Sequence, residues 1–352
     1  MSEATTTPTP AAPAPKTNRL GLGLKEYRGG KSTLCAGCGH DAISAAITQA
    51  YFELGVNQRQ VAKLSGIGCS SKTPAYFLGQ SFGFNSVHGR MPAVATGTNL
   101  ANRRLELIAV SGDGDTASIG MGQFVHFLRR NIRMVYVIEN NGVYGLTKGQ
   151  FSATADADSV AKYGTRNDLE AIDVCGLAIE LGCDFVARSF SGDRKQLIPL
   201  IEAAAAHGGT ALLDVISPCV TFNDHEGSTK SYKYAREHDW ALHEVGFVPG
   251  YDNIEVDMAA GETRDVKLPD GSLITLKKLD EDYDPTDRLE AAKILHRGRE
   301  EKKIVTGLLY VNPESASFAK QLNLVDAPLS SLTEAQLRPG PEKLAEIMEE
   351  LK

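Results

Sequence analysis

The sequence predicts an α/β protein: a mostly parallel sheet with helices on both faces. Three observations carry this expectation. Near-continuous apolar strand segments alternate with helical segments as far as about Pro218, the pattern of strands buried on both sheet faces. Consecutive strands run directly into glycine-bearing turns, Gly112-Asp113-Gly114-Asp115 and Asn141-Gly142, where open α/β sheets bind ligands. After Trp240 the pattern lapses and charge density rises. The chain therefore divides into an arm (1–17), a main domain (18–240) and a C-terminal extension (241–352).

The arm, rich in Ala, Pro and Thr, has almost no bulky apolar residue to offset the entropy of ordering, and is expected to be flexible. From Gly39 to Leu54, Ile43, Ala46, Ile47, Ala50, Tyr51 and Leu54 recur at the spacing of one buried helix face, so Cys35-Ala36-Gly37-Cys38 lies just before a helix. Strands are expected at Val61 to Ser65, Leu105 to Val110, Met134 to Ile138 and Ala211 to Ile216. Helices are expected up to about Arg130, around Leu169 to Leu181, and around Leu197 to Ala206. In the extension, Lys267 to Leu273 reads as a hairpin turn. An exposed helix is expected from Pro285 to Lys303, capped by Asp284 with Pro285 at its first position. The extension reads as a clamp on a partner rather than a second core.

With 352 residues and a formal net charge of −7, the chain lacks the clustered positive charge that nucleic acid or an anionic membrane surface requires. It has no uninterrupted apolar run approaching about eighteen residues, and no charged n-region followed by an apolar h-region. A soluble, cytoplasmic protein with no membrane span and no nucleic-acid partner is expected. Six cysteines in a chain this long do not make a secreted disulfide framework. Clustered cysteines point instead to a metal or to redox chemistry.

The turns after the two consecutive strands carry the strongest chemical signal. Asp113 and Asn141 stand 28 residues apart, each closing a strand, so both face one crevice. Glycines there let backbone N–H groups approach phosphate oxygens, while Mg²⁺ takes hard oxygen ligands shared with phosphate. Asp113 supplies the charge, Asn141 a side-chain oxygen and Val143 a backbone carbonyl. Either turn alone also reads as an ordinary turn.

Cys35, Cys38, Cys69 and Cys219 lie beside loops or strand ends, and four thiolates satisfy a site for zinc or for a [4Fe-4S] cluster. Spacing alone does not choose between them. One close pair and two distant singles favour the cluster. Cys175, on the face of Ile172 and Ile179, and Cys183, after Gly182, are expected to be inert core residues.

Together, Cys35 to His40, Ser65 to Lys72, Val87 to Arg90, Gly112 to Asp115, Asn141 to Gln150 and Pro218 to Asn223 resemble the β subunit of 2-oxoacid:ferredoxin oxidoreductases. The resemblance runs from about Tyr27 to Trp240. One departure is Ala36, where many relatives have proline. The segment Asp224 to Lys230 and the tail beyond Trp240 resemble the 2-oxoglutarate branch. The resemblance implies a thiamine-diphosphate-binding domain of PP type and three cofactors: thiamine diphosphate, Mg²⁺ and one [4Fe-4S] cluster. It also implies decarboxylation of 2-oxoglutarate with coenzyme A to succinyl-CoA, the electrons passing through the cluster to ferredoxin.

By the same resemblance, Lys72 and Lys148 meet substrate carboxylates, Leu146 lines their pocket, and His88 contacts the cofactor. Gly68, Arg90, Gly112, Gly114, Asp115, Tyr144, Gly145 and Thr147 complete the cofactor contacts. Thiamine enzymes need a carboxylate on the aminopyrimidine ring, which relatives supply from another domain. An α subunit, giving αβ or (αβ)₂, is therefore expected. Pyruvate or branched-chain 2-oxoacids are alternative substrates, and a zinc-stabilised, non-redox thiamine-binding subunit is the alternative from another class.

Overall fold

The structure, a computed structural model, describes residues 17–161, 164–250, 263–278, 283–314, 318–338 and 340–352. The expected arm therefore lies, but for Thr17, outside the described residues. Helix α1 (Gly39–Glu53) starts directly at the CxxC, with Cys38 as its N-cap residue, and buries Ile43, Ala46, Ile47, Ala50 and Tyr51 as the periodicity predicts. Strand β1 (Val61–Ser65) is buried throughout, and β2 (Phe82–Asn85) is exposed along its length. Next come α2 (Met91–Ala101), β3 (Glu106–Gly112), a π-helical turn (Gly114–Ile119) and α3 (Met121–Arg130). Strand β4 (Met134–Asn140) leads into a small hairpin of β5 (Val143–Tyr144) and β6 (Gln150–Phe151).

Helix α4 (Val174–Glu180) leads to β7 (Phe185–Phe190), α5 (Arg194–Ala206) and β8 (Thr210–Ile216). The remainder holds α6 (Tyr232–Glu237), β9 (Asp239–Ala241), β10 (His243–Val248), β11 (Thr263–Lys267) and β12 (Leu273–Lys278). It continues with α7 (Arg288–Glu300), β13 (Ile304–Val311), α8 (Phe318–Gln321), α9 (Glu334–Leu337) and α10 (Pro341–Glu350).

Eight strands form the main sheet in the order β2-β1-β3-β4-β8-β7-β13-β9. The six from β2 to β7 are parallel, β13 runs antiparallel to β7, and β9 is parallel to β13. Apolar side chains cover both faces. On one, α1 and α5 contribute Ile43, Tyr51, Leu197 and Leu200; on the other, α3, α4 and α7 contribute Phe124, Phe127, Ala178 and Ile294. Burying each such side chain contributes about 1.5–3 kcal/mol. Because the strands are parallel, the turns after β2, β1, β3, β4 and β8 all emerge along one edge.

Three expectations need correction. The helix expected from Leu169 starts at Val174, because Asp173 caps it by accepting from the N–H groups of Cys175 (3.1 Å) and Gly176 (3.2 Å). Asp284 does not cap α7: Asp287 does, accepting from Leu289 and Glu290, while Asp284 holds the Thr286 N–H and pairs with Arg264. Nor does the core end at Trp240. The apolar run Ile304 to Val311 enters the main sheet between β7 and β9, and α7 buries Ala291, Ile294 and Leu295 there. The hairpin turn at Lys267 to Leu273 joins β11 to β12 as expected.

Candidate functional site

Along the carboxyl edge of the sheet runs a cleft. It is walled by the turn after β1 (Ile67 to Ser70), the Gly112 to Asp115 turn after β3, and the loop Asn141 to Thr147 after β4, with His40, His88 and Ile119. Of the residues expected to contact cofactor or substrate, Gly68, His88, Gly112, Asp113, Gly114, Asp115, Asn141, Val143, Tyr144, Gly145, Leu146 and Thr147 line it. Lys72, Arg90 and Lys148 do not line its wall. Lys72 lies on the 3-10 turn Ser70–Ala75 close enough to Cys69 for its charge to favour the thiolate. Arg90 precedes α2 as its N-cap residue. Lys148 is exposed at the tip of the β5–β6 hairpin, in a left-handed conformation (φ 79°).

Asp113 is buried, and its two oxygens are unequally used. Oδ2 accepts from the Gly142 N–H (3.1 Å) and from the hydroxyls of Thr154 (2.5 Å) and Ser152. Oδ1 has only a long contact to the Asn141 N–H (3.4 Å). Burial pushes the Asp113 carboxyl above its ordinary range, opposed by those hydroxyls, the Asn141 N–H and the Lys230 ammonium. Such a carboxyl gains by meeting a cation. Gly114 is required where it stands, because a Cβ there would fall 2.5 Å from the Tyr144 ring, whose hydroxyl donates to the Gly114 carbonyl (3.0 Å). Ser70 Oγ, buried in the wall beside Gly112, has no hydrogen-bond partner among the described residues. An orphaned hydroxyl, a buried carboxylate oxygen and the first N–H groups of a π-turn fit a diphosphate with its divalent cation.

Asn141 Oδ1 accepts from the Val143 N–H (3.0 Å), and its amide nitrogen lies 3.5 Å from His40 Nε2. The other His40 nitrogen is 2.6 Å from Ser217 Oγ and 3.6 Å from Glu139. Burial pushes the His40 pKa down to about 4 and the Glu139 carboxyl well above its ordinary range. Among the described residues neither Glu139 oxygen has a hydrogen-bond partner of normal geometry; the Thr73 hydroxyl beside it donates to the Ser70 carbonyl (2.7 Å).

Of the four cysteines one lines this cleft, and the others lie near it or near one another. Cys69 is in its wall, and a Cβ on Gly145 would sit 3.5 Å from the Cys69 sulfur and 3.6 Å from the Cys219 sulfur. Gly39 brings the CxxC to Cys219: a Cβ on it would meet Ser217 and Pro218 at 2.6 to 2.9 Å, and its N–H donates to the Pro218 carbonyl (3.2 Å). The Thr221 hydroxyl donates to the Cys35 sulfur (3.5 Å). Burial, with Glu139 and Cys219 nearby, pushes the Cys38 thiol up to about 12; burial and Cys219 also raise Cys69. Thiols so disposed ionise when metal takes them.

Among the described residues, no three or more His, Cys, Asp or Glu side chains are set to hold a single metal ion. Four thiols gathered in one region make a donor set of the chemistry that a cluster or a zinc ion takes. Cys175 and Cys183 are buried in the core, as expected, although Ile172 lies outside the helix and is not Cys175's neighbour on its face. Sequence reasoning gave no role to His40, Ser70, Ser152 or Thr154. Ser70 and His40 stand inside quoted motifs; Ser152 and Thr154, just past Gln150, had no signal beyond their nearness.

The thiamine pyrophosphate enzyme C-terminal TPP-binding domain family matches residues 55–215, and the family of the C-terminal region of the pyruvate ferredoxin oxidoreductase β subunit matches residues 275–326. A 2-oxoacid:ferredoxin oxidoreductase subunit β from a Sulfolobus species is 42% identical over 221 residues, 62% of this chain and 70% of that protein. Subunit β of 2-oxoacid:ferredoxin oxidoreductase 2 from Aeropyrum pernix is 34% identical over 83% of this chain and 84% of its own length. The solved 2-oxoglutarate:ferredoxin oxidoreductase from Magnetococcus marinus, with 2-oxoglutarate, coenzyme A and succinyl-CoA bound, superposes with a TM-score of 0.73 at 28% identity. That superposition covers 93% of this chain and 96% of that one. The chain belongs to the β subunits of the 2-oxoacid:ferredoxin oxidoreductases.

Proposed function

We propose that this chain is the β subunit of a 2-oxoglutarate:ferredoxin oxidoreductase, converting 2-oxoglutarate and coenzyme A to succinyl-CoA and CO₂ with a partner α subunit. Thiamine diphosphate, when bound, supplies carbanion-stabilising chemistry for decarboxylation, and a [4Fe-4S] cluster accepts single electrons for delivery to ferredoxin. Asp113 Oδ1, the Asn141 side-chain oxygen and the Val143 carbonyl hold Mg²⁺. The N–H groups opening the π-turn at Gly114, with Ser70 and His88, bind the diphosphate. Cys35, Cys38, Cys69 and Cys219 hold the cluster. Lys72 and Lys148 bind substrate carboxylates as point charges, with Leu146 against the carbon chain and Arg90 at the cofactor loop.

One observation carries this reading: Cys69 stands in the wall of the same cleft that Asp113, Asn141 and His88 line. A cluster held by Cys69 would then border the site at which Asp113 and Asn141 would hold the cofactor.

Ile119 is exposed in the cleft wall, and Phe82, Phe84 and Val87 are exposed on the edge strand β2 and the turn after it. An apolar rim on an unpaired edge suits a partner subunit that brings the missing activating carboxylate. Helix α10 exposes Leu344, Ile347 and Met348, with Leu351 just beyond, at the spacing of one apolar stripe, which suits the expected clamp on that partner. Among the described residues no helix is long and apolar enough to cross a membrane, and a cytoplasmic location is part of this proposal.

The test is anaerobic co-purification with an α subunit, followed by iron, sulfide, zinc and thiamine analysis and by acyl-CoA assays with 2-oxoglutarate and pyruvate. Iron, sulfide and thiamine diphosphate with a preference for 2-oxoglutarate are expected. A colourless complex containing zinc and no iron overturns the cluster, and a preference for pyruvate overturns the substrate.

A further inference from the structure

Asp115 lines the cleft, yet its carboxylate is not turned to a ligand. Oδ1 accepts the Gly89 N–H (2.8 Å) and Oδ2 accepts the Ser111 hydroxyl (2.9 Å). The group is buried, and a free carboxylate there would repel a diphosphate. Its neighbours are shaped around it. A Cβ on Gly66, at the end of β1, would fall 1.9 Å from Oδ2, so only glycine leaves room. Gly89 has a φ of +66° and packs so closely on Gly120 that a Cβ would lie 2.7 Å from the Gly120 Cα.

One carboxylate therefore joins the turns after β2 and β3 and sits under the turn after β1. Those turns carry His88, Asp113 and Cys69. The first is anchored at its start, where Ser86 donates its N–H (3.0 Å) and hydroxyl (2.8 Å) to the Ser65 carbonyl. Next to His88 itself, the long-range hydrogen bond is that of the Gly89 N–H to Asp115.

We infer that Asp115 is a positioning residue: through the Gly89 N–H it sets His88 against the diphosphate-binding turn. This rests on the reading of the cleft as the thiamine diphosphate site. Asp115→Ala removes both acceptors, whereas in Asp115→Asn the amide oxygen still accepts the Gly89 N–H and the amide nitrogen donates to the Ser111 hydroxyl oxygen. A role in general packing lowers stability without regard to His88; a positioning role vanishes once the His88 imidazole is gone.

The experiment is a double-mutant cycle on the dissociation constant of thiamine diphosphate for the assembled αβ complex with Mg²⁺, measured calorimetrically. Asp115→Ala and His88→Ala each weaken binding about tenfold, the double variant also stays at about tenfold rather than about a hundredfold, and Asp115→Asn restores binding to within about twofold. Ser111→Ala, which frees Oδ2 but leaves the Gly89 bond, is the milder variant should Asp115→Ala not fold. It is expected to lose about threefold, and that loss disappears in the His88→Ala background. Multiplying effects, or a dissociation constant unchanged by Asp115→Ala, overturn the inference. Failure of Asp113→Asn to weaken binding in the same assay overturns instead the reading of the cleft on which it rests.

Discussion

The Thr154 hydroxyl donates to Asp113 Oδ2 at 2.5 Å, joining the Gly142 N–H and the Ser152 hydroxyl on that oxygen and leaving Oδ1 nearly free. A carboxylate held on one side presents a single defined oxygen to a cation. Thr154→Ala is expected to weaken Mg²⁺-dependent thiamine diphosphate binding about tenfold, the cost of one hydrogen bond to a charged group, while Thr154→Ser restores it. Calorimetric titration with the cofactor at fixed Mg²⁺ measures both.

Cysteines at the cleft and in the core respond differently to the same change. Cys219→Ser and Cys69→Ser are expected to lose iron and sulfide while retaining thiamine diphosphate. Cys175→Ser and Cys183→Ser, buried where their thiols face backbone carbonyls, are expected to retain both. Metal and sulfide analysis of the four purified complexes checks this.

Gly39 is no ligand, yet the CxxC reaches Cys219 only because nothing stands between Gly39 and Ser217-Pro218. Gly39→Ala forces the start of α1 away from that backbone at a cost of about 1–3 kcal/mol. Reduced cluster content is expected with thiamine diphosphate affinity within about twofold of the unaltered chain. Thermal unfolding and iron content, read together, separate this from general unfolding.

Burial and the neighbouring Glu53 push the Glu202 carboxyl, on α5, up to about 9. A folded pKa above the unfolded one means that the folded state binds more protons between the two, so stability falls as pH rises across that interval. The window runs from the ordinary glutamate pKa of about 4.3 up to the raised value near 9. Glu202→Gln is expected to flatten the melting temperature between about pH 5 and about pH 8, and to raise it at the upper end.

The extension divides into a part that folds and a part that reaches out. Ending the chain at Lys303 removes β13 and bares an edge of β7, and aggregation is expected. Ending it at Arg338 removes only α10, whose described residues are all exposed, and should leave a soluble chain that binds the partner more weakly. Size-exclusion chromatography of the two truncations, with and without the α subunit, distinguishes them.

Features encoded over short stretches were legible in the sequence. Apolar runs ending in glycine turns located β1, β3 and β4, and parallel order then forced Cys69, Asp113 and Asn141 onto one edge. Long-range features were not. The run Ile304 to Val311 was apolar enough to be a core strand, but the charged surroundings hid it, and its pairing with β7 crosses more than a hundred residues. Ser152 and Thr154 act on Asp113 only because the β5–β6 hairpin folds back. Asp115 looked like a cofactor ligand by position, and only the Gly89 and Ser111 bonds show its carboxylate already occupied. Lysines such as Lys72 and Lys148 are long and mobile enough that no local pattern says where their charge rests.

The most direct test of the shared cleft is electron paramagnetic resonance of the anaerobic αβ complex before and after adding 2-oxoglutarate and coenzyme A. A reduced-cluster signal is expected to appear with substrate, and to be lost in Cys219→Ser and in Asp113→Asn for different reasons: no cluster in the first, no cofactor in the second. A complex that forms succinyl-CoA without iron, or an Asp113→Asn complex that still reduces its cluster with 2-oxoglutarate, would contradict it.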